Sequence, residues 1–254
     1  MGVDKKSKGR IMNKKKALKK PEYPEVYPNS PLVEVICEIH FPSELAIECQ
    51  RNRFHDVIRK QYPLLTLPGA EIMEARTARP YRFETVGRRR VVQLSINRFS
   101  YHEKQYKSHK DFIREFARLS KILAEIYTLD KLDRVGWRYI NIIPFIREDG
   151  MVPLARFLNI SIAACDGVFN KLENLSMVLI TKVQNGSITT KIQSVIQSDS
   201  NQEAFLLDFD FAMTTGLSFS KLNAHVRKAH DYTRDLFEKL ITDDYRQYLK
   251  GEAV

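Results

Sequence analysis

The sequence lacks any apolar run long enough to cross a membrane, and it contains only three cysteines. A transmembrane helix needs roughly 18 or more consecutive apolar residues, and the N-terminus has no apolar segment behind its charges of the kind that a secretory signal has. The cysteines, Cys37, Cys49 and Cys165, are odd in number and far apart, which excludes a disulfide framework or a CxxC metal-binding pair. These absences predict a cytoplasmic protein that does not associate with membranes.

The local motifs of several enzyme classes are also missing. No GxGxxG, GxxxxGK[ST] or GxSxG occurs. His225 and His230 are five positions apart, whereas a zinc-binding pair on a helix has a spacing of about four. His230 lies beside an apolar stripe, where a packed histidine is usual, and adjacent helical residues such as His230 and Asp231 point about 100° apart and are not expected to orient one another. The sequence therefore predicts no cofactor, no metal and no catalytic residue, and it leaves an enzyme with an unfamiliar site as a third hypothesis. A structure with His230 in a concave pocket beside a carboxylate would favour that hypothesis.

The net charge of +10 is concentrated at the N-terminus. Residues 1–20 contain nine basic residues against a single acid, Asp4. The nine are Lys5, Lys6, Lys8, Arg10, Lys14, Lys15, Lys16, Lys19 and Lys20. Removing these residues and Asp4 from the totals of 41 basic and 31 acidic residues leaves 32 and 30, so the rest of the chain is nearly neutral. Because such a segment cannot offset its chain entropy by burial, we predict a disordered tail over residues 1–30, either simply solvated or binding nucleic acid without sequence preference.

Alternating apolar residues after this tail predict a first α+β half over residues 31–130. In the segment LVEVICEIHF, alternation places Val33, Val35, Cys37, Ile39 and Phe41 on one face and Glu34, Glu38 and His40 on the other, as in a half-buried strand. Helical spacing predicts a helix capped by Ser43 and a longer one capped by Ser108. Between them, YRFETVGRRRVVQLSINRFSY predicts a hairpin that turns near Gly87.

The second half, over residues 131–254, repeats this order of elements. A strand and a short helical piece precede the hairpin LSMVLITKVQNGSITTKIQSVIQ, the strand AFLLDFDFAM and a long helix from about Ser220 to Tyr248. Asn185 and Gly186 suit the two positive φ angles of a type I′ turn. We predict an α+β fold of mostly antiparallel strands covered by long helices, with the two halves packed as one unit. Their shared order of elements leaves a structural duplication open.

Four segments of the chain resemble a known family. They are PLVEVICEIHF, VVQLSINRFSYHEKQYKSHKDFIREF, VGWRYINII and AHDYTRDLFEKLITDDYR. In this order they resemble a sporadically distributed, uncharacterised family of bacterial proteins of about this length, from Pro31 to Arg246, most specifically over residues 138–141 and 230–242. Members typically carry a tryptophan soon after the RFSY-like strand, where residues 102–106 have none. The family has no established activity, cofactor or catalytic residue, and its patchy occurrence implies an accessory gene, such as a mobile-element or defence component.

The segment GWRYINIIPF places Arg138 and Asn141 among bulky apolar neighbours, in what the pattern indicates is a central strand covered on both sides. An unpaired buried guanidinium costs several kcal/mol. The acids on strands of comparable pattern are Asp208, Asp210, Glu34 and Glu38. We predict that Arg138 is mostly buried and pairs with one of these four, and that Asn141 bonds to main-chain groups. The alternative is that Arg138 reaches solvent from a strand end.

Polar residues alternate outward along the predicted strands, and one polar face of a shared sheet is expected, with helices over the other face. They are Glu34, Glu38, His40, Gln93, Ser95, Asn97, Lys191, Gln193, Asp208 and Asp210. Composition does not separate a solvated face from an interface. Our leading hypothesis is a non-enzymatic binding or regulatory module that acts through a protein partner. The alternative is a nucleic-acid-associated protein that uses the basic tail.

Overall fold

The computed structural model describes residues 23–67, 80–160 and 172–252. Within these ranges the chain has an α+β fold, built on a single antiparallel sheet of nine strands. The basic residues of the predicted tail, Lys5 to Lys20, lie outside the described residues. No helix among the described residues combines the length and the apolarity that crossing a bilayer would require.

The strands and helices follow the alternating and helical patterns of the sequence. The strands are β1 (Leu32–His40), β2 (Leu64–Thr66), β3 (Tyr81–Glu84), β4 (Arg90–Ser95), β5 (Arg98–Glu103), β6 (Arg134–Pro144), β7 (Ser176–Val183), β8 (Gly186–Ile196) and β9 (Glu203–Met213). The helices are α1 (Ala46–Cys49), α2 (Arg51–Ile58), α3 (His109–Tyr127), α4 (Leu154–Phe157), α5 (Leu222–Leu240) and α6 (Asp243–Leu249). A short 3-10 turn, Phe219–Lys221, leads into α5.

The strand order across the sheet is β2-β3-β4-β5-β1-β6-β9-β8-β7. The first strand of each half lies in the middle, where β1 and β6 pair antiparallel, so both halves contribute to one sheet. The last strand of each half, β5 or β9, lies on the outer side of these two. The centre of the sheet is therefore formed by β5, β1, β6 and β9.

The core lies between one face of this sheet and the helices α2, α3 and α5. Strand residues alternate between two faces, and Trp137 of β6 faces the helices, where its ring centroid is 5.0 Å from that of Phe112 in α3. Phe209 of β9 meets Phe237 of α5 at 6.3 Å. Trp137, Phe112 and Phe209 have no exposed surface. Each apolar side chain of this kind contributes roughly 1.5–3 kcal/mol by its burial.

The predicted cap at Ser108 is confirmed, whereas the one at Ser43 is wrong. The Ser108 hydroxyl accepts a hydrogen bond from the Asp111 amide, as an N-cap side chain does. The other helix begins only at Ala46, whose amide is bound by the Glu44 carboxylate at 2.8 Å. That helix is also divided into α1 and α2 by the non-helical backbone of Gln50, with φ −127° and ψ 28°.

The two predicted hairpins are present, with differences in their turns. The first segment contains three strands, because β4 continues through a second turn into β5. In the second hairpin Val183 pairs with Gly186, so the turn residues are Gln184 and Asn185, and Asn185 has a φ of 65°. The predicted type I′ turn at Asn185 and Gly186 is wrong. A Cβ atom on Gly186 would lie 2.4 Å from the Ala212 carbonyl oxygen of β9, so glycine is needed there for close strand approach.

The helix predicted from Ser220 to Tyr248 is interrupted near its end. Ile241 has an extended backbone, with φ −79° and ψ 148°, and forms an isolated bridge with Leu158. Thr242 then caps α6 by accepting a hydrogen bond from the Tyr245 amide. Ile241 is fully buried, so the apolar pattern continues across this break. Tertiary contact therefore overrides helical continuity at this position.

Residues 23–30, here called the N-terminal strap, are packed against α5 and α6. Tyr27 is 3% exposed, and its hydroxyl donates a hydrogen bond to Glu238 at 2.8 Å. The Asn29 amide donates to the Leu249 carbonyl oxygen at 3.1 Å. Within the tail predicted over residues 1–30, the strap therefore contacts α5 through the buried Tyr27 side chain and α6 through the Asn29 amide.

Candidate functional site

The outward-facing polar residues of β1, β6 and β9 meet on the sheet face opposite the helices. We call this set the central network; its members are Glu34, Glu38, Arg134, Arg138, Asp208 and Asp210. No helix covers this face within the described parts of the chain. The central network thus lies at the junction of the two halves, on the helix-free face.

Arg138 forms a bidentate ion pair with Asp208 in the central network. Its Nε and Nη2 atoms donate to the two carboxylate oxygens of Asp208, each at 2.7 Å. The hydrogen bonds with Asp208 raise the pKa of Arg138. The Asp208 side chain is 4% exposed and the Arg138 side chain 39% exposed. A bidentate pair of this kind fixes the orientation of the guanidinium plane.

The predicted pairing of Arg138 with one of four acids is confirmed, but the prediction that Arg138 is mostly buried is wrong. One face of β6 is covered by helices and the other is not, so Arg138 is half-exposed while Trp137 is fully buried. Asn141 lies on the covered face, where its side-chain amide donates to the Leu207 carbonyl oxygen at 3.3 Å. The predicted main-chain bond of Asn141 is therefore confirmed.

Arg134 links β1 and β9 across β6, a role that the sequence did not indicate. Its two terminal nitrogens lie 3.1 Å from Glu38 and 3.3 Å from Asp210. The guanidinium passes over Gly136, where an added Cβ atom would lie 2.6 Å from Arg134 Nη1. Arg134, Gly136 and Arg138 alternate on one face of β6, and this period of two is the signal that would have identified the site.

Two histidines extend the central network along β1 and β5. The Nδ1 atom of His102 lies 3.2 Å from Glu34, and the hydrogen bond with His102 lowers the pKa of Glu34. His40 Nε2 lies 2.7 Å from Glu38. Burial pushes the pKa of Glu38 upward, but the contact with His40 and the charges of the neighbouring arginines outweigh it, so that the pKa is lowered.

Asp210 is the acid of the central network that is most available to a ligand. Its side chain is 40% exposed, compared with 4% for Asp208 and 24% for Glu38. Burial raises the pKa of Asp210, and the guanidinium groups of Arg134 and Arg138 oppose that rise. The site therefore presents an accessible carboxylate beside a partly exposed guanidinium.

Apolar side chains surround these charges. Ile36, Ile140, Ile142 and Leu206 are half-buried on the same face. Toward the end of the sheet, Val178 is 54% exposed and Ile180 is 72% exposed. The helix-free face therefore has charged groups at its centre and apolar groups around them.

The other residues that were predicted to face outward differ in their position and exposure. Gln93 and Lys191 lie on the helix-free face, with Lys191 directly opposite Asp208. Ser95 is only 1% exposed and bonds to Asn97, which lies in the turn between β4 and β5 and not in a strand. The prediction of one continuous polar face is therefore correct at the centre and incomplete near this turn.

His230 lies away from the central network, on the covered side of the sheet. Its ring stacks on His109 at 4.6 Å and meets the edge of Trp137 at 5.8 Å. Burial lowers the pKa of His230, and the neighbouring His109 adds to that effect. His230 Nδ1 lies 3.1 Å from the Asp231 carboxylate. The expectation that these neighbouring residues do not orient one another is therefore wrong.

His230 lines a concave pocket of about 300 Å³, together with the strap and carboxylates of α5. A histidine in a pocket beside a carboxylate is the feature that was expected to favour the enzyme hypothesis. In this pocket Glu25 bonds both the amide of His109, at 2.8 Å, and its Nδ1 atom, at 2.6 Å. Arg234 donates to the Pro24 carbonyl oxygen at 2.7 Å. These contacts attach the strap to α3 and α5.

In the described ranges, no three His, Cys, Asp or Glu side chains are grouped as metal ligands. Cys37 is buried on the covered face, and burial raises the pKa of its thiol. A thiol of this kind is an inert core group. The central network combines an accessible carboxylate, that of Asp210, with the partly exposed guanidinium of Arg138, and this arrangement can bind and orient charged or polar groups.

Comparison with protein-family models and with curated proteins found no match to this chain.

Proposed function

We propose that this chain is a cytosolic, non-enzymatic binding module whose helix-free sheet face binds a protein partner. The observation that carries the proposal is the central network, in which both signs of charge are half-exposed within an apolar surround. Arg138 is held by two bonds to Asp208 while 39% of its side chain stays accessible. A pre-oriented guanidinium is a frequent anchor in protein interfaces because little side-chain freedom remains to be lost on binding.

The charges of this face favour a protein over a nucleic acid as its partner. Four carboxylates, those of Glu34, Glu38, Asp208 and Asp210, lie at its centre, and each contacts a cation of the chain or lies close to one. Phosphate groups would meet these carboxylates, whereas nucleic-acid interfaces are strongly positive. A protein surface that offers both acidic and basic side chains within an apolar surround is complementary to this arrangement.

The test is capture and titration with a matched pair of charge reversals. Lys191→Glu alters the helix-free face beside Asp208, and Lys121→Glu makes the same charge change on the exposed side of α3. A protein captured from the native host by the wild-type chain should bind the Lys191→Glu variant at least about tenfold more weakly, a loss of about 1.4 kcal/mol. The Lys121→Glu variant should bind it as the wild type does.

Two outcomes would contradict the proposal. One is equal affinity of a captured protein for both charge-reversal variants, and the other is the absence of any retained protein under crosslinking conditions. Circular dichroism and melting curves of the two variants separate a binding defect from a folding defect.

The alternative, nucleic-acid binding through the basic tail, is supported by the nine positive charges of residues 1–20. Deletion of residues 1–22 tests it without removing the strap. Under this alternative the deletion abolishes both the affinity for DNA or RNA and its steep dependence on salt. Affinity that survives the deletion would assign nucleic-acid binding to the body of the chain.

We also propose that the chain belongs to the sporadically distributed bacterial family that it resembles, as an accessory component, and that its halves arose by duplication. The strand order supports the duplication, since β1-β5-β4-β3 in one half corresponds to β6-β9-β8-β7 in the other. A search for homologues of each half separately would test this origin, and clear matches of the halves to unrelated families would overturn it.

A further inference from the structure

The strand β7 is outermost on its side of the sheet among the described strands, and it is unusually apolar for that position. Val178 is 54% exposed, Leu179 46% and Ile180 72%. Val178 and Ile180 point to the helix-free face and Leu179 to the other, so apolar groups are exposed on both faces. Natural edge strands are usually short or protected by prolines, bulges or several charges. β7 has eight residues, one charged residue, Lys182, and no proline.

The backbone of β7 is also suited to accept another strand. Its pairing with β8 runs without interruption from Ser176 opposite Gln193 to Val183 opposite Gly186. Just before β7, the Ser194 amide donates to the Leu175 carbonyl oxygen at 2.9 Å. Because the direction of backbone groups alternates along a strand, the amides and carbonyls of the even-numbered residues from Ser176 to Lys182 point away from β8. A continuous, regular row of backbone donors and acceptors thus faces outward.

We infer that β7 pairs antiparallel with β7 of a second copy of this chain, about a two-fold axis at Leu179. In this register Leu179 lies opposite the partner's Leu179, and Val178 lies opposite the partner's Ile180. Val178 and Ile180 both have outward backbone groups, so they form the hydrogen-bonded pairs, and the Leu179 pair is the closer, non-hydrogen-bonded one. The two sheets become one continuous sheet with all helices on the same side.

The charge of β7 and the length of the other edge strand favour a second copy of this chain as the partner that pairs with β7. The single charged residue of β7, Lys182, lies opposite the partner's Ser176, so this register contains no like-charge contact. The other edge strand of the described sheet, β2, has only three residues and cannot pair along the length of β7. An isologous contact of β7 with itself closes after two copies, whereas a heterologous β7–β2 contact would add further copies to form a ring or a filament.

This inference is independent of the proposed function. Pairing through β7 uses the edge of the sheet and leaves the central network accessible in both copies. A dimer would therefore present two identical binding faces on one side of a doubled sheet.

The first test is the sedimentation behaviour of the full chain from low micromolar to several hundred micromolar concentration. We expect a reversible monomer–dimer equilibrium. Leu179→Lys and Val178→Pro should each weaken the dimer at least about tenfold, since lysine is a natural protector of edge strands and proline removes an outward amide. Val86→Lys, at an exposed apolar residue in the turn between β3 and β4, is the matched control and should dimerise as the wild type does.

The second test is disulfide crosslinking, which reports the register. In a Cys49→Ser, Cys165→Ser background, Leu179→Cys should form a crosslinked dimer rapidly, because the two Cα atoms lie within the range that a disulfide spans. Ile180→Cys lies opposite Val178 of the partner subunit and should crosslink much more slowly.

A chain that remains monomeric at all concentrations overturns the inference, as does a dimer that Leu179→Lys and Val86→Lys affect equally. Faster crosslinking of Ile180→Cys than of Leu179→Cys contradicts the register. At a concentration where the wild type is monomeric, unchanged melting temperatures of Leu179→Lys and Val178→Pro show that a lost dimer reflects the interface and not the fold.

Discussion

Trp137 and Arg138 are neighbours in β6, yet they lie on opposite faces of the sheet. Trp137 has no exposed area and packs between β6 and α3, whereas Arg138 leaves 39% of its side chain accessible and is held by Asp208. The covered face contributes to stability through packing. The helix-free face holds its shape through ion pairs that leave some polar atoms free. One strand can therefore serve stability and recognition at once, because successive residues face opposite sides.

The largest expected effect is on the covered face. Trp137→Ala should lower the free energy of unfolding by about 3–5 kcal/mol, since it leaves a cavity between the sheet and the helices. Chemical denaturation measures this loss. Ile140→Ala, in the same strand on the helix-free face, is the control and should cost about 1 kcal/mol or less. Equal losses would mean that the two faces do not differ in their contribution to stability.

A smaller loss is expected on the helix-free face. Arg138→Ala should cost about 1–3 kcal/mol, between the values for buried and exposed ion pairs, because it leaves the buried Asp208 carboxylate without its partner while Arg138 itself is partly solvated. A double-mutant cycle with Asp208→Asn isolates the pair. A coupling energy near zero would show that the pair is present without contributing to stability.

The hydrogen bond between Tyr27 of the strap and Glu238 is a polar contact on the covered side of the sheet. Its contribution to stability can be compared with that of the ion pairs on the helix-free face. Tyr27→Phe removes the hydrogen bond to the Glu238 carboxylate and should cost about 1–2 kcal/mol. Deletion of residues 1–22 leaves this contact intact and is expected to leave the free energy of unfolding unchanged. If the deletion lowered the free energy of unfolding as much as Tyr27→Phe does, the stabilising contact could not be assigned to Tyr27 of the strap.

The smallest effect concerns pH and His230. Burial lowers the pKa of this histidine below its ordinary value of 6.5, so the fold favours the neutral ring. The unfolded chain binds the proton first as the pH falls, and the stabilisation present above about pH 7 is lost as the pH drops through about 6.5 toward the folded-state pKa. We expect His230→Gln to reduce the loss of stability between about pH 7.5 and about pH 5.5 by up to about 1 kcal/mol. An unaltered pH dependence would show that His230 does not titrate differently in the folded and unfolded states.

Much of the fold follows from local pattern. Alternation identified β1, β6 and β9, and the Ser108 cap and the spacing after it identified α3. The pairing of Arg138 with Asp208 could be narrowed to four acids, because a strand guanidinium needs a carboxylate on the same face. Strand register, which depends on the whole sheet, decided among the four.

Other features depend on contacts between distant parts of the chain. Arg134 reaches Glu38 and Asp210 only because β1 and β9 flank β6, a neighbourhood that no local pattern contains. Similarly, Tyr27 is anchored in the core by Glu238, more than 200 positions away, which accepts a hydrogen bond from its hydroxyl. The break at Ile241 is set by the bridge to Leu158.

The hydrogen bond between Asn29 and Leu249 has a practical consequence for attaching the chain to a support through a linker. It brings the first and last described segments side by side, and an added Cβ atom on Gly251 would lie 4.0 Å from Pro28. Both segments lie on the helical side of the sheet. A linker joined to either one therefore starts from the same place, beside α6. A chain immobilised through such a linker would present its charged sheet face away from the support.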